Sequence, residues 1–315
     1  MTRGTLIYIG QRFFLILLTA VIVSSVVFIG VHQLPGNAFL GERRQSAVSQ
    51  AELLRHYGLD KPWPQQYLNW LTGVMTRGDL GESLKNRGVR ITPLLLREAS
   101  VSATLGAFAM IFCIVVGMSL GIVAAVRQNT WIDYSASFMA TIGYSIPNFV
   151  LAFLLILLTV TGLFQWTHGA IYEDIGWGKI EQIPVPAIAL GVLPMTLIAR
   201  LTRASMLEVI RQDYVRTAWA KGLKAQVVII RHALRNALIP VVTVLGPITT
   251  GVITGSVVIE NLFGIPGLGK EFVASILTRD YNIVIGVFTF YAILVGLANL
   301  LVDLVYPILD PRIRY

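Results

Sequence analysis

Residues 214–240 read YVRTAWAKGLKAQVVIIRHALRNALIP. Asp213 just before them is a suitable helix cap, and Gly222 after Lys221 a suitable stop. A second helix is expected from about Lys224 to Ile239, ended by Pro240, which makes the stretch a helix–turn–helix. Tyr214, Ala218 and Trp219 share one side of the first helix. Val227, Ile230, Leu234 and Leu238 repeat at helical spacing in the second, with Arg231 and Arg235 on a neighbouring face. Two readings fit such an element. It lies flat on anionic lipid, or it is an apolar-edged knob that docks into a groove on another protein. The apolar runs flanking it, about 185–203 and 237–259, decide the fold. If both cross a membrane, the stretch is a loop at one face of a multi-span protein.

Composition favours the membrane. Of 315 residues, 55% are hydrophobic and 13% charged, and the mean hydropathy is +0.70. Soluble domains carry about 25% charged residues. A helix needs about 20 mostly apolar residues to cross the hydrocarbon. Six runs qualify: about 10–34, 99–126, 134–164, 185–203, 237–259 and 282–306. The first is too long for a leader's apolar core, and no small-x-small cleavage site follows it, so it is expected to remain as a span. The fourth contains Pro186 and Pro194 and is crowded by Arg200 and Arg203; a re-entrant segment competes with a span there. With the N-terminus in the cytoplasm, the inward segments hold thirteen basic and five acidic residues, and the outward segments twelve of each. The net charge of +8 then falls on one side, as the positive-inside rule expects. The basic balance needs no nucleic acid to explain it. The expected organisation is 1–34 as tail and first span, 35–98 as a folded extracytoplasmic loop, and 99–315 as a five-helix core with a cytoplasmic loop at 204–236. Both termini are then cytoplasmic.

Within the long loop, residues 51–57 and 62–71 read as short helices and 78–84 as a turn; a surface cap, a docking surface for an external partner and a lid over a pathway are not separated by the sequence. The segment Gly264–Glu271 nearly matches a phosphate-cradling G-x-x-x-x-G-K-[ST] pattern. Glu271 replaces the hydroxyl, and Pro266 removes a backbone donor, so an external turn is the better reading and no nucleotide site is expected. The four histidines, His32, His56, His168 and His232, lack ligand spacing, and one cysteine, Cys113, makes neither an intrachain disulfide nor a metal cluster. No hydrolase signature is found. Few ionisable groups lie at span centres, with Asp133 at the membrane surface and Asp303 near the inner end of the last span, which argues against a proton-coupled carrier. Ser145, Pro147 and Asn148, with Thr249 and Thr250 near Pro247, are the polar candidates for a pathway; local helix packing competes with that role. Gly246, Gly251 and Gly255 suggest close helix contact.

The quoted stretch also carries a resemblance. Tyr214-Val-Arg-Thr-Ala-x-Ala-Lys-Gly-Leu223 and Arg231-His-Ala-Leu-Arg-Asn-Ala-Leu-Ile-Pro240 resemble the coupling loop of ATP-binding-cassette import permeases, nearest to the peptide-uptake branch. Further along, Gly78-Asp-Leu-Gly-Glu-Ser83, Gly255-Ser-x-x-Ile-Glu260, Phe263-Gly-Ile-Pro-Gly-Leu-Gly269, Arg279-Asp-Tyr281 and the tail Asp310–Tyr315 follow the branch's order. Arg216-Thr-Ala218 replaces the acid and two alanines common in the wider family, and the gap from Gly222 to Pro240 is longer; both departures are usual in the peptide and nickel permeases. The resemblance implies an all-α integral membrane protein of six transmembrane helices, the type I importer permease fold. It implies a second permease subunit, two cytosolic ATPases holding ATP and magnesium, an extracytoplasmic binding protein, and a bacterial inner membrane. This chain would then be a non-catalytic subunit without cofactor or metal. Tyr214, Arg216, Ala218, Trp219, Lys221, Gly222 and Leu223 would form the ATPase-coupling knob. The cargo implied is oligopeptide, with nickel, glutathione or another small solute as alternatives on the same architecture, and a secondary transporter or channel as the rival class.

Overall fold

The structure, a computed structural model, describes residues 3–33, 52, 54–163 and 175–309. Its helices, in chain order, are α1 (Arg3–Gln33), α2 (Trp63–Arg77), α3 (Ile91–Val126), α4 (Trp131–Ser145), α5 (Asn148–Leu157), α6 (Pro184–Ile210), α7 (Asp213–Ala220), α8 (Arg235–Ile253), α9 (Val257–Leu262), α10 (Leu268–Thr278) and α11 (Tyr281–Leu309). A π-helical segment, Val228–Leu234, leads into α8. Among the described residues, five helical stretches are long and apolar enough to cross a membrane: Leu6–Gln33, Ile91–Val126, Ile180–Ile210, Ala225–Leu262 and Tyr281–Leu304. A sixth crossing results if the bent pair Trp131–Ser145 and Asn148–Gly162 is one span. The first part of the long loop, His168 and the tail motif Asp310–Tyr315 lie outside the described residues.

Proline placement explains where the helices break and where they do not. The fourth run is a continuous helix, not a re-entrant segment. Pro184 and Pro186 fall in the first turn of α6, where a missing N–H costs little. Pro194 is carried inside it. The break occurs in the third run instead, where Ile146 is extended ahead of Pro147 and the axis bends by 105°. Pro240 does not stop its helix either: α8 runs through Pro240 and Pro247 to Ile253.

Contacts divide the chain into two compact units, Met1–Val101 with Pro266–Leu297 and Ser102–Ile265 with Ala298–Tyr315. In the first, Leu80, Ile91, Leu95, Leu268, Ile283 and Val287 form a buried apolar core. Helix α2 packs along α1: the Tyr67 hydroxyl lies 2.8 Å from both Ser24 Oγ and Ser25 Oγ, and His32 stacks on Phe28. The Gly78–Ser83 motif is held from a distance. Asp280, 1% exposed, takes the Ser83 hydroxyl and the Leu84 and Lys85 amides on its carboxylate, while its Oδ1 also accepts the Ile283 amide in the first turn of α11. Two motifs about two hundred residues apart in sequence are therefore one structural clamp.

In the second unit, small residues let helices touch backbone to backbone. A Cβ on Gly121 would stand 2.5 Å from the Ala199 carbonyl oxygen, one on Gly117 2.8 Å from that of Met195, and one on Gly106 2.7 Å from that of Val252. These glycines make the close contacts expected of Gly246, Gly251 and Gly255. Of those three, Gly251 faces open space, Gly246 is buried, and Gly255 fits beneath Glu260, whose Oε1 leaves no room for an added Cβ. Glu260 is fully buried and accepts the Ser102 hydroxyl at 2.8 Å. Asp133, expected at the membrane surface, is buried within the fold. Arg203 binds it at two points, Nε to Oδ1 at 2.6 Å and Nη2 to Oδ2 at 2.8 Å. Asp133 and Glu260 are thus buried acids near helix ends, each engaged by a partner.

Candidate functional site

Helix α7 begins after Gln212, which occupies the cap position without a side-chain bond. Asp213 is the first helical residue, not the cap, and it reaches Arg216 at 3.7 Å in an exposed pair. The helix ends at Lys221, and Gly222 turns the chain at φ +74°, a region L side chains rarely adopt. Inward, Val215, Ala218 and Val228 make a small buried patch with Val209 packed on it. Outward, Tyr214, Trp219 and Leu223 remain substantially exposed, as do Arg216 and Lys221. The knob residues therefore split. Ala218, placed on the same side as Tyr214 and Trp219 by spacing, is an internal anchor. Tyr214 accepts a hydrogen bond from Asn236 Nδ2 at 2.7 Å, tying α7 to α8.

The second helix departs from the expected register. A π segment inserts one extra residue per turn, so the buried positions become Val228, Ala233 and Ala237, while Val227 and Ile230 turn outward. Ala233 and Ala237 pack with Met206 and Ala125. Between these elements lies an apolar cleft of about 400 Å³, bounded by Ala125, Val126, Leu207, Ile210, Trp219 and Ile229 among others, with Gln128 and Arg211 also lining it. Helix α7 thus rests on a small patch beside this cleft. An element held by few apolar contacts moves at low cost.

The pathway candidates also divide. Ser145 and Pro147 are exposed at the break between α4 and α5, and Asn148 begins α5. Ser145 Oγ bonds the Thr141 carbonyl at 2.8 Å. Thr249 and Thr250 bond their own helix, to the Leu245 and Gly246 carbonyls, and Thr250 also meets Asn299 at 3.1 Å. That is the hydroxyl-to-backbone role of packing residues. A broken helix, which sequence did not reveal clearly, is the kind of element that lines transport sites. At the near-phosphate motif, Leu268 and Gly269 are buried and Pro266 precedes the helix. Among the described residues no cluster of His, Cys, Asp or Glu is arranged to hold a metal ion.

The sequence profile of the family described as "binding-protein-dependent transport system inner membrane component" matches residues 117–315. The chain is 41% identical to the dipeptide transport system permease protein DppB of Bacillus subtilis strain 168, over 98% of this chain and 97% of that one. It is 38% identical to the protein of the same name from Escherichia coli K12, over 98% of each. It is 38% identical to the oligopeptide transport system permease protein OppB of Salmonella typhimurium LT2, over 94% of this chain and 95% of that one.

Proposed function

We propose a function from one premise: the chain belongs to the binding-protein-dependent transport system inner membrane component family. It is a multi-pass membrane permease subunit of an ATP-binding-cassette importer, and peptides are the cargo we infer, since the relatives above are named for dipeptides and oligopeptides. In this reading an external binding protein delivers the peptide, a second, homologous permease completes the pathway, and two cytosolic ATPases supply ATP and magnesium. Both termini and the 211–227 loop face the cytoplasm. The chain itself is non-catalytic and carries no cofactor.

The observation that carries the coupling role is the two-sidedness of α7. Val215 and Ala218 hold it to its own chain, while Trp219, Leu223, Arg216 and Lys221 are left for a partner. An aromatic anchor with a basic rim is the usual make-up of an interface centre and edge. ATP-driven closure of the ATPases would push α7, and α7 would pass the displacement through Val209 and Val228 to α6 and α8. Trp219→Ala and Gly222→Pro are expected to leave membrane insertion intact. Peptide uptake in proteoliposomes of the full complex should fall at least tenfold while ATP hydrolysis persists. Uptake at the wild-type level in both variants would remove α7 from the coupling path.

A further inference from the structure

Arg200 lies within α6, ten residues before its end at Ile210, or about 15 Å along the axis. Arg203, one turn nearer that end, is neutralised by Asp133. Arg200 has no such partner among the described residues. Its side chain is exposed, and its guanidinium lies over the ring of Tyr144, 4.5 Å from the centroid.

Helices α4 and α6 run antiparallel, because Asp133 meets Arg203 at one level while Gly143 meets Thr196 and Val192 at another. To reach Tyr144, Arg200 leans along α6 towards Thr196, away from the Ile210 end. That lean is the ordinary one for a helical side chain; what sets Arg200 apart is that it is an exposed cation inside the candidate span Ile180–Ile210, where ionisable groups face a water-filled cavity or protein rather than lipid. Two residues beyond Tyr144 the chain breaks at Ile146–Pro147, next to the exposed Ser145. Irregular backbone at membrane depth is tolerated where it lines a cavity or is covered by protein.

We infer that Arg200, oriented by Tyr144, faces the water-filled pathway and receives the carboxylate at the peptide's C-terminus. A guanidinium over an aromatic face is held by the ring without using its N–H groups, which can meet a carboxylate at two points. Every peptide with a free C-terminus carries this group whatever its sequence, so one arginine serves a permease of mixed cargo. The identity of the anion rests on the peptide reading above; the exposure of Arg200 to an aqueous path does not.

The test uses the complete importer in proteoliposomes. Cys113 is the single cysteine of this chain and is buried, so Cys113→Ala removes its thiol; Arg200→Cys is introduced in that background, with the partner subunits also made cysteine-free and the Cys113→Ala complex treated in parallel. The expected result is at least a tenfold loss of dipeptide uptake with normal copurification of the partner subunits. The introduced thiol should react with water-soluble methanethiosulfonates. The ethylammonium adduct, which restores a cation, should return a third or more of the uptake, and the ethylsulfonate adduct none. Arg200→Lys should keep at least a third. A thiol that resists both reagents, or adducts of opposite charge that behave alike, would overturn the inference in favour of a lipid or subunit contact. Labelling is read without cargo, so a wild-type complex that imports no peptide would sink the cargo reading separately.

Discussion

Glu271 shows how one residue carries a measurable cost. It stands in the first turn of α10, half-buried, in the place where a nucleotide site would have a hydroxyl. Burial raises its pKa above the ordinary carboxylate value, and the charge of Asp280 raises it further, against smaller opposing effects of Arg97 and Lys270. A raised pKa means the folded state prefers the protonated acid. That preference stabilises the fold below the unfolded-state value and is lost as pH rises through the folded-state value. Glu271→Gln mimics the protonated form. In detergent the variant is expected to melt above wild type at pH 7.5, and the gap should close by pH 4. Equal melting at both values would mean that solvent screens the group completely. At this scale the sequence was legible for identity and not for company. It marked Asp280, Ser83 and Glu260 inside motifs, but pairing across two hundred residues depends on how distant segments fold together, which local pattern does not encode.

Elements were legible in number and misread in register. Long apolar runs mark spans reliably because hydrocarbon leaves the backbone few alternatives to a helix. Their punctuation was harder. Pro194, Pro240 and Pro247 are carried inside helices, while Pro147 coincides with a break. Membrane helices tolerate proline where neighbouring groups satisfy the freed carbonyl, and the sequence pattern does not say where that is. The π segment ahead of α8 is invisible to a 3.6-residue period, so the face read as Val227, Ile230, Leu234 and Leu238 is rotated relative to the buried one at Val228, Ala233 and Ala237. Close packing of α3 on α6 depends on Gly117 and Gly121, which lie one helical turn apart in α3. In a membrane such contacts rest on backbone approach, because lipid is as apolar as a leucine side chain. Gly121→Val would drive its side chain into the Ala199 carbonyl and Thr202. Overpacking of this kind costs roughly 1–3 kcal/mol, sometimes more. The expected outcome is a lower melting midpoint in detergent together with slower uptake. Gly251→Val, where nothing lies within 4 Å, is the control and should melt as wild type.

For the molecule as a whole, the charge pattern and the spans gave the class, and the motif order gave the family; cargo lies beyond both, since a permease takes what its binding protein presents. The proposed division of labour can be tested on the chain alone. A motor needs a phosphate cradle with free backbone donors and a group to hold magnesium. Here Pro266 has no N–H, Gly269 is buried, and the position after Lys270 is a half-buried acid that repels phosphate. The purified chain is therefore expected to hydrolyse ATP no faster than buffer, and Lys270→Ala should change nothing. Hydrolysis should appear only when cytosolic ATPase subunits are added, and should rise when a second permease and a loaded binding protein complete the complex. Copurification from native membranes should bring down the same companions. Hydrolysis by the lone chain that Lys270→Ala abolishes would place the motor in this subunit and end the reading of α7 as a lever moved from outside.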